Sequence, residues 1–185
     1  MTTHTSGGDA LAFGDGVARI LFSRDRTGTG PSVVEIVMPE GSMPPMHVHD
    51  EDERIFLLEG RVTYFVGGER IEAGPQTKLV LPGGVPHTYR VEAGGRARWL
   101  VVTATERFER FVRAVARPAE ESVPVHPTVT DAVAFTVAAA QNGIEILGPA
   151  PSAPARTQRE ETARAARSSL RARIFPDLGL APTAA

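Results

Sequence analysis

From Val17 to Thr103 the chain alternates short apolar runs with Gly, Pro and acidic punctuation. The runs are Val17–Phe22, Ser32–Met38, Arg54–Leu58, Arg61–Val66, Glu69–Ala73, Thr77–Leu81, His87–Val91 and Ala97–Thr103. Val33, Val34, Ile36 and Val37 give the second run the β-branched character of a strand. Pro39-Glu40-Gly41 breaks it, Glu59-Gly60 makes a tight turn, and Gly67-Gly68 is a hairpin signal. No helical period intervenes. Short strands between Gly/Pro turns predict an all-β barrel or sandwich.

The pattern changes at Thr105. In Glu106–Arg117, Phe108, Phe111, Val112 and Val115 recur at helical spacing, so an amphipathic helix is expected, ended by Pro118. A Pro-containing connection covers residues 119–129. Asp131 is placed to cap a second helix through about Gln141, which stops at Asn142-Gly143. Pro149–Pro154 reads as a Pro/Ala/Ser linker, and Thr157–Arg173 as a helix rich in arginine with a solvated face. The expected organisation is a flexible N-terminal tail (1–15), a barrel (16–104), a helical extension (105–148), and a linker with a C-terminal helix and tail (149–185).

Composition changes this picture little. A length of 185 residues suits one compact domain with appendages. The net charge of -2 gives no ground for a nucleic-acid or membrane-surface partner. The chain has no cysteine, which removes disulfides, zinc–thiolate sites and cysteine nucleophiles together. No apolar run approaches the roughly 20 residues that span a bilayer, and the N-terminus lacks the order of a signal peptide. The expectation is a soluble, cytoplasmic protein.

Histidine carries the chemistry. His47 and His49 lie one residue apart, so in a strand both imidazoles share a face. His87 arrives later, behind Pro82-Gly83-Gly84-Val85-Pro86. A carboxylate from the run Asp50-Glu51-Asp52-Glu53 completes a histidine–carboxylate set suited to a divalent first-row metal with open positions. Strand parity allows either Glu51 or Glu53. His4 and His126 read as solvated. Lys78 and Arg54 read as surface charges. Met38, Met46, Phe56, Tyr64, Trp99 and Val101 are candidates to line an apolar pocket, with Tyr89 a weaker one.

The spacing around these residues resembles the cupin superfamily. Gly41 is followed after five residues by His47-x-His49, after three more by Glu53, and after six more by Gly60, as in the first cupin motif. Gly74, seven residues, Pro82-x-Gly84, two residues and His87 resemble the second. Val91 stands where that motif has asparagine, and the spacer after Gly74 is longer than the motif's shortest form. The resemblance covers about residues 16–104. It implies a double-stranded β-helix, a small jelly-roll barrel followed here by C-terminal α-helices. It selects Glu53 over Glu51 and implies His47, His49, Glu53 and His87 as ligands of one metal ion (Fe, Ni, Co, Mn or Zn).

A single cupin followed by the Phe108–Val115 helix also resembles the single-cupin, quercetin dioxygenase-like proteins. They imply a metal-dependent dioxygenase taking dioxygen and a small aromatic, polyphenolic (flavonol-like) or secondary-metabolite substrate. Glu53 would be both ligand and catalytic base. A non-oxidative cyclase or isomerase, or a small-molecule-binding module, are the other functions the family offers. A homodimer joined through a barrel edge is also expected.

Overall fold

The structure is a computed structural model, and it describes residues 10–119, 132–150 and 173–174. Twelve strands and three helices follow one another along these residues. Strands β1 (Ala10–Phe13), β2 (Gly16–Phe22), β3 (Ser32–Met38), β4 (Met46–His49), β5 (Glu53–Glu59) and β6 (Val62–Val66) come first. Then come β7 (Glu69–Ala73), β8 (Lys78–Leu81), β9 (His87–Val91), β10 (Ala97–Thr103), the two-residue β11 (Arg117–Pro118) and β12 (Ile144–Gly148). A single turn of helix, α1 (Arg24–Thr27), sits between β2 and β3, α2 (Arg107–Val115) precedes β11, and α3 (Ala132–Gln141) precedes β12.

Two antiparallel sheets face each other. One has the order β11-β1-β2-β3-β10-β5-β8 and the other β12-β4-β9-β6-β7. The eight strands expected between Val17 and Thr103 are all present. β4, whose start falls just after a Pro-Pro pair, was not among them. The architecture is the expected jelly-roll.

Alternation sets which side chains enter the space between the sheets. In β5, Glu53, Ile55 and Leu57 are buried, while Arg54 and Leu58 are exposed. Phe56 shares the outward parity and is only partly buried. Trp99, Tyr64, Ile36, Ile55 and Leu57 are each at most 2% exposed and form the centre of the core. Gly60 holds the turn after β5 at φ 81°, and a Cβ there would lie 2.5 Å from the Arg96 carbonyl oxygen. Backbone conformation and close approach therefore both require glycine.

Three placements differ from the sequence-based expectation. β1 lies inside the stretch expected to be a flexible tail. Its Ala-Leu-Ala-Phe run is four residues long, and only pairing with β2 and β11 gives it a place. β12 lies inside the expected helical extension, after the Asn142-Gly143 stop. Ile144 and Ile146 alternate there, and the strand adds to β4. α1 is too short to show a period. Its Ser23 cap accepts from the Arg26 N–H at 3.2 Å, and Gly28 closes it at φ 71°.

Helix α2 buries Phe111 and Val112, as its spacing predicts, but it also buries Glu109 completely. The Glu109 carboxylate accepts from Ser23 Oγ at 2.5 Å, Ser32 Oγ at 3.2 Å and Arg113 Nη2 at 3.0 Å. This polar cluster ties α2 to the start of α1 and to β3. A second apolar cluster of Phe111, Phe135, Ala138, Ala139 and Ile144 joins α2, α3 and β12. Phe13 and Phe108 touch both this cluster and the barrel core.

The first nine residues, the 120–131 connection with His126 and the Asp131 cap, and most of the arginine-rich C-terminal segment lie outside the described residues. Arg173 and Ile174 are described, and Ile174 is fully buried in the main core. Among the described residues no helix is long and apolar enough to cross a membrane.

Candidate metal centre

The two sequence blocks meet as neighbouring strands. β4 pairs with β9, and His47 stands directly across from His87. His49, two residues on from His47, shares its face. The ligand-capable nitrogens of His47, His49 and His87 all lie within 4.8 Å of one another. The His87 ring is 4.5 Å from that of His47 and 4.7 Å from that of His49, centroid to centroid.

Each imidazole is oriented by its own backbone. Nδ1 of His47 donates to the Pro45 carbonyl at 2.9 Å, Nδ1 of His49 to the Glu51 carbonyl at 2.8 Å, and Nδ1 of His87 to the Val85 carbonyl at 2.8 Å. A carbonyl only accepts, so the ring proton sits on Nδ1 and, in the neutral imidazole, Nε2 keeps its lone pair. Nε2 of His49 and of His87 are both buried without a hydrogen-bond partner. Buried polar atoms left in that state point to an absent partner. Three histidines presenting Nε2 to one point fit a metal ion, and they could hold one.

The four adjacent acids separate by direction. Glu53 opens β5 in the opposite sheet, is 7% exposed, and brings Oε1 to 3.4 Å from His49 Nε2. Glu51 turns away, accepting from Thr105 Oγ1 at 2.5 Å. Asp52 accepts from the Gly83 N–H at 2.8 Å, and Asp50 is exposed. Gly84 N–H donates to the His49 carbonyl at 2.7 Å, so the Pro82–Pro86 turn is stitched to the loop bearing the acids.

Charge in the cavity follows from this packing. Burial pushes the Glu53 carboxyl up, but the imidazoles, His49 foremost, pull it down to about 2. Burial holds His87 down at about 4 and lowers His47 as well. Burial also opposes charge on His49, but the facing Glu53 carboxylate outweighs it and raises that imidazole.

The site lies in a cavity of about 90 Å³, several times the roughly 10–15 Å³ that admits one water. It leaves room beyond an ion and one water. Tyr64, Tyr89, Trp99 and Val101 line the barrel wall, together with Ile36 and Leu81. Of the sequence-based pocket candidates, Tyr64, Tyr89, Trp99 and Val101 are therefore in place. Met38, Met46 and Phe56 are not among the lining residues. Arg54 and Lys78 are exposed.

The roof was missed. Phe108 and Phe111 of α2, Phe135 of α3, and Ile144 and Ile146 of β12 also line the cavity and cover it on that side. The helical spacing of Phe108 and Phe111 signalled a buried face but not what it covers.

Residues 33–103 match the family model described as a cupin domain. Quercetin 2,3-dioxygenase of Bacillus subtilis (strain 168) is 31% identical over 87 residues, which are 46% of this chain and 26% of that protein. The chain thus spans about a quarter of the length of the curated relative it matches. Among solved structures, the polyketide cyclase RemF from Streptomyces resistomycificus aligns with 22% identity and a TM-score of 0.49, over 68% of this chain and 89% of its own. A predicted oxalate decarboxylase from Thermotoga maritima aligns with 15% identity and a TM-score of 0.49, over 56% and 97% respectively.

Proposed function

We propose, from the match of residues 33–103 to the cupin-domain family model, that the protein is a metal-dependent dioxygenase of an aromatic, enol- or phenol-bearing small molecule. The observation that carries the reading is the convergence of His47, His49 and His87 Nε2 with Glu53 at one end of an aromatic-lined cavity. His47, His49, Glu53 and His87 would hold one divalent first-row ion, since a nitrogen–oxygen set without thiolate suits several such metals. The similarity to a quercetin 2,3-dioxygenase supports oxygenation of a flavonol-like compound over the other reactions of the family.

When bound, the ion supplies Lewis acidity and an open position for a substrate oxygen. The chain does the rest. Trp99 and the two tyrosines offer flat apolar surface to a ring. The roof of phenylalanines and isoleucines excludes water from that surface. Among the described residues Glu53 is the only acidic side chain lining the cavity, so it is the group placed to accept a hydroxyl proton from the substrate. The pull of the imidazoles keeps it ionised at neutral pH and so able to ligate.

Anaerobic reconstitution with iron, nickel, cobalt or manganese, followed by a flavonol and air, tests the reading. Oxygen uptake with at least one metal, abolished in Glu53→Gln, is expected. No uptake with any metal sinks it, and turnover of the flavonol without oxygen would move the assignment to a non-oxidative isomerase or cyclase.

A further inference from the structure

Tyr64 stands in the middle of β6, directly across from Tyr89 of β9. The two ring centroids are 6.3 Å apart, and both rings line the metal cavity. Tyr64 is 1% exposed, and its hydroxyl has no hydrogen-bond partner. Among the described residues, only two other buried side-chain nitrogens or oxygens share that state: Nε2 of His49 and Nε2 of His87. All three residues line the same cavity, and two of the orphaned atoms face the metal position.

A phenylalanine at position 64 would pack the same ring without burying an unpaired hydroxyl. Stability alone therefore gives no reason for the oxygen. Burial, with Tyr89 and Glu53 nearby, holds the phenol protonated at neutral pH, so it is a donor in an otherwise mostly apolar wall.

We propose that the Tyr64 hydroxyl donates a hydrogen bond to an oxygen of the bound organic ligand, a phenol, enolate or carbonyl oxygen on an aromatic frame. It thereby fixes how the ring lies against the metal position. The ligand class follows from the walls: flat and apolar over most of its surface, with an oxygen on the edge that faces β6. This deepens the substrate reading of the cavity and rests on it. It does not depend on whether the substrate is oxygenated.

The test uses the full chain loaded with zinc, which binds without redox turnover. Binding of 2-naphthol and of naphthalene is measured by fluorescence for wild type and Tyr64→Phe. The expected result is a loss of about 2- to 10-fold in 2-naphthol affinity for the variant, the range of a net neutral hydrogen bond, with naphthalene unchanged. The melting temperature of Tyr64→Phe should equal or exceed that of wild type, because an unsatisfied hydroxyl has gone. Equal 2-naphthol affinities, or equal losses for both compounds, overturn the proposal. A fall of several degrees in melting temperature gives the hydroxyl a structural role and also overturns it. Failure of either compound to bind wild type overturns the ring-binding cavity along with it. Oxygen uptake from a flavonol by wild type, beside an unchanged naphthol preference in the variant, removes Tyr64 while leaving the oxygenase reading intact.

Discussion

Gly83 lies so close to the Asp50 carbonyl oxygen that a Cβ on it would sit 2.0 Å away. Its neighbour Gly84 has φ 73° and open space around it. The two glycines of one turn are therefore needed for different reasons, close approach at one and a left-handed backbone at the other.

Gly83→Ala should force the Pro82–Pro86 turn off the acidic loop and strain the Gly84 N–H bond to the His49 carbonyl. The expected loss is about 1–3 kcal/mol or more from overpacking, with weakened metal binding. Gly84→Ala should lose only about 1–2 kcal/mol of backbone energy and keep its metal. Denaturant melts and metal titrations on both variants check the ranking, and equal losses would contradict it.

Glu53→Gln and Glu51→Gln should behave differently although the two acids are two residues apart. Glu53→Gln should lower metal affinity by more than the roughly 10- to 100-fold typical of changes to groups that only orient a ligand. Glu51→Gln should keep the metal and loosen only the Thr105 contact. Metal content after dialysis against a graded chelator separates them. His87→Ala should match Glu53→Gln or exceed it.

The metal-free protein should lose stability as pH falls below about 6.5. His87 is held at about 4 in the fold, while the unfolded chain takes up its proton near 6.5. The unfolded state thus binds more protons between those values, and stability drains away on the order of 3 kcal/mol by pH 4. His47 adds in the same direction. Glu53, held at about 2, adds a further loss below about 4.5. His49 is raised and works in the opposite sense. Denaturant midpoints at pH 7.5 and pH 5 should fall together with metal affinity, since the same nitrogens must be unprotonated to ligate.

Glu109→Ala should orphan the buried Ser32 hydroxyl, costing about 1–3 kcal/mol, and release α2 from β3. Arg113 is half exposed and can turn to water. Glu109→Gln keeps an acceptor and should lose less. Thermal melts rank the two, and an unchanged Glu109→Ala would show the cluster to be incidental.

How much of this was legible depends on how far apart the partners lie in sequence. His47, His49 and His87 could be read because strand parity and turn signals are local, and β4 and β9 needed only to be neighbours. The choice between Glu51 and Glu53 was not local. Parity permitted both, and Thr105, 54 residues on, is what engages Glu51. Nothing local marked Glu109 as a buried acid, because its serine partners lie 86 and 77 residues away. Phe56 was mistaken for a pocket residue for a different reason. Once Glu53 faces inward, period two turns Phe56 outward, and that consequence was available from the sequence. The roof could not be read, because β12 is a short run after a helix and only β4 makes it a strand.

That last pairing has a consequence for how the protein is made. Ile144 pairs with His49 across β12 and β4, and the two are separated by 95 positions (144 − 49). A ribosome delivers the N-terminal side first, at roughly 5–20 residues per second. The histidine strand must therefore wait about 5–20 seconds with one edge bare, and cannot be closed over until nearly the whole barrel and both roof helices have been synthesised.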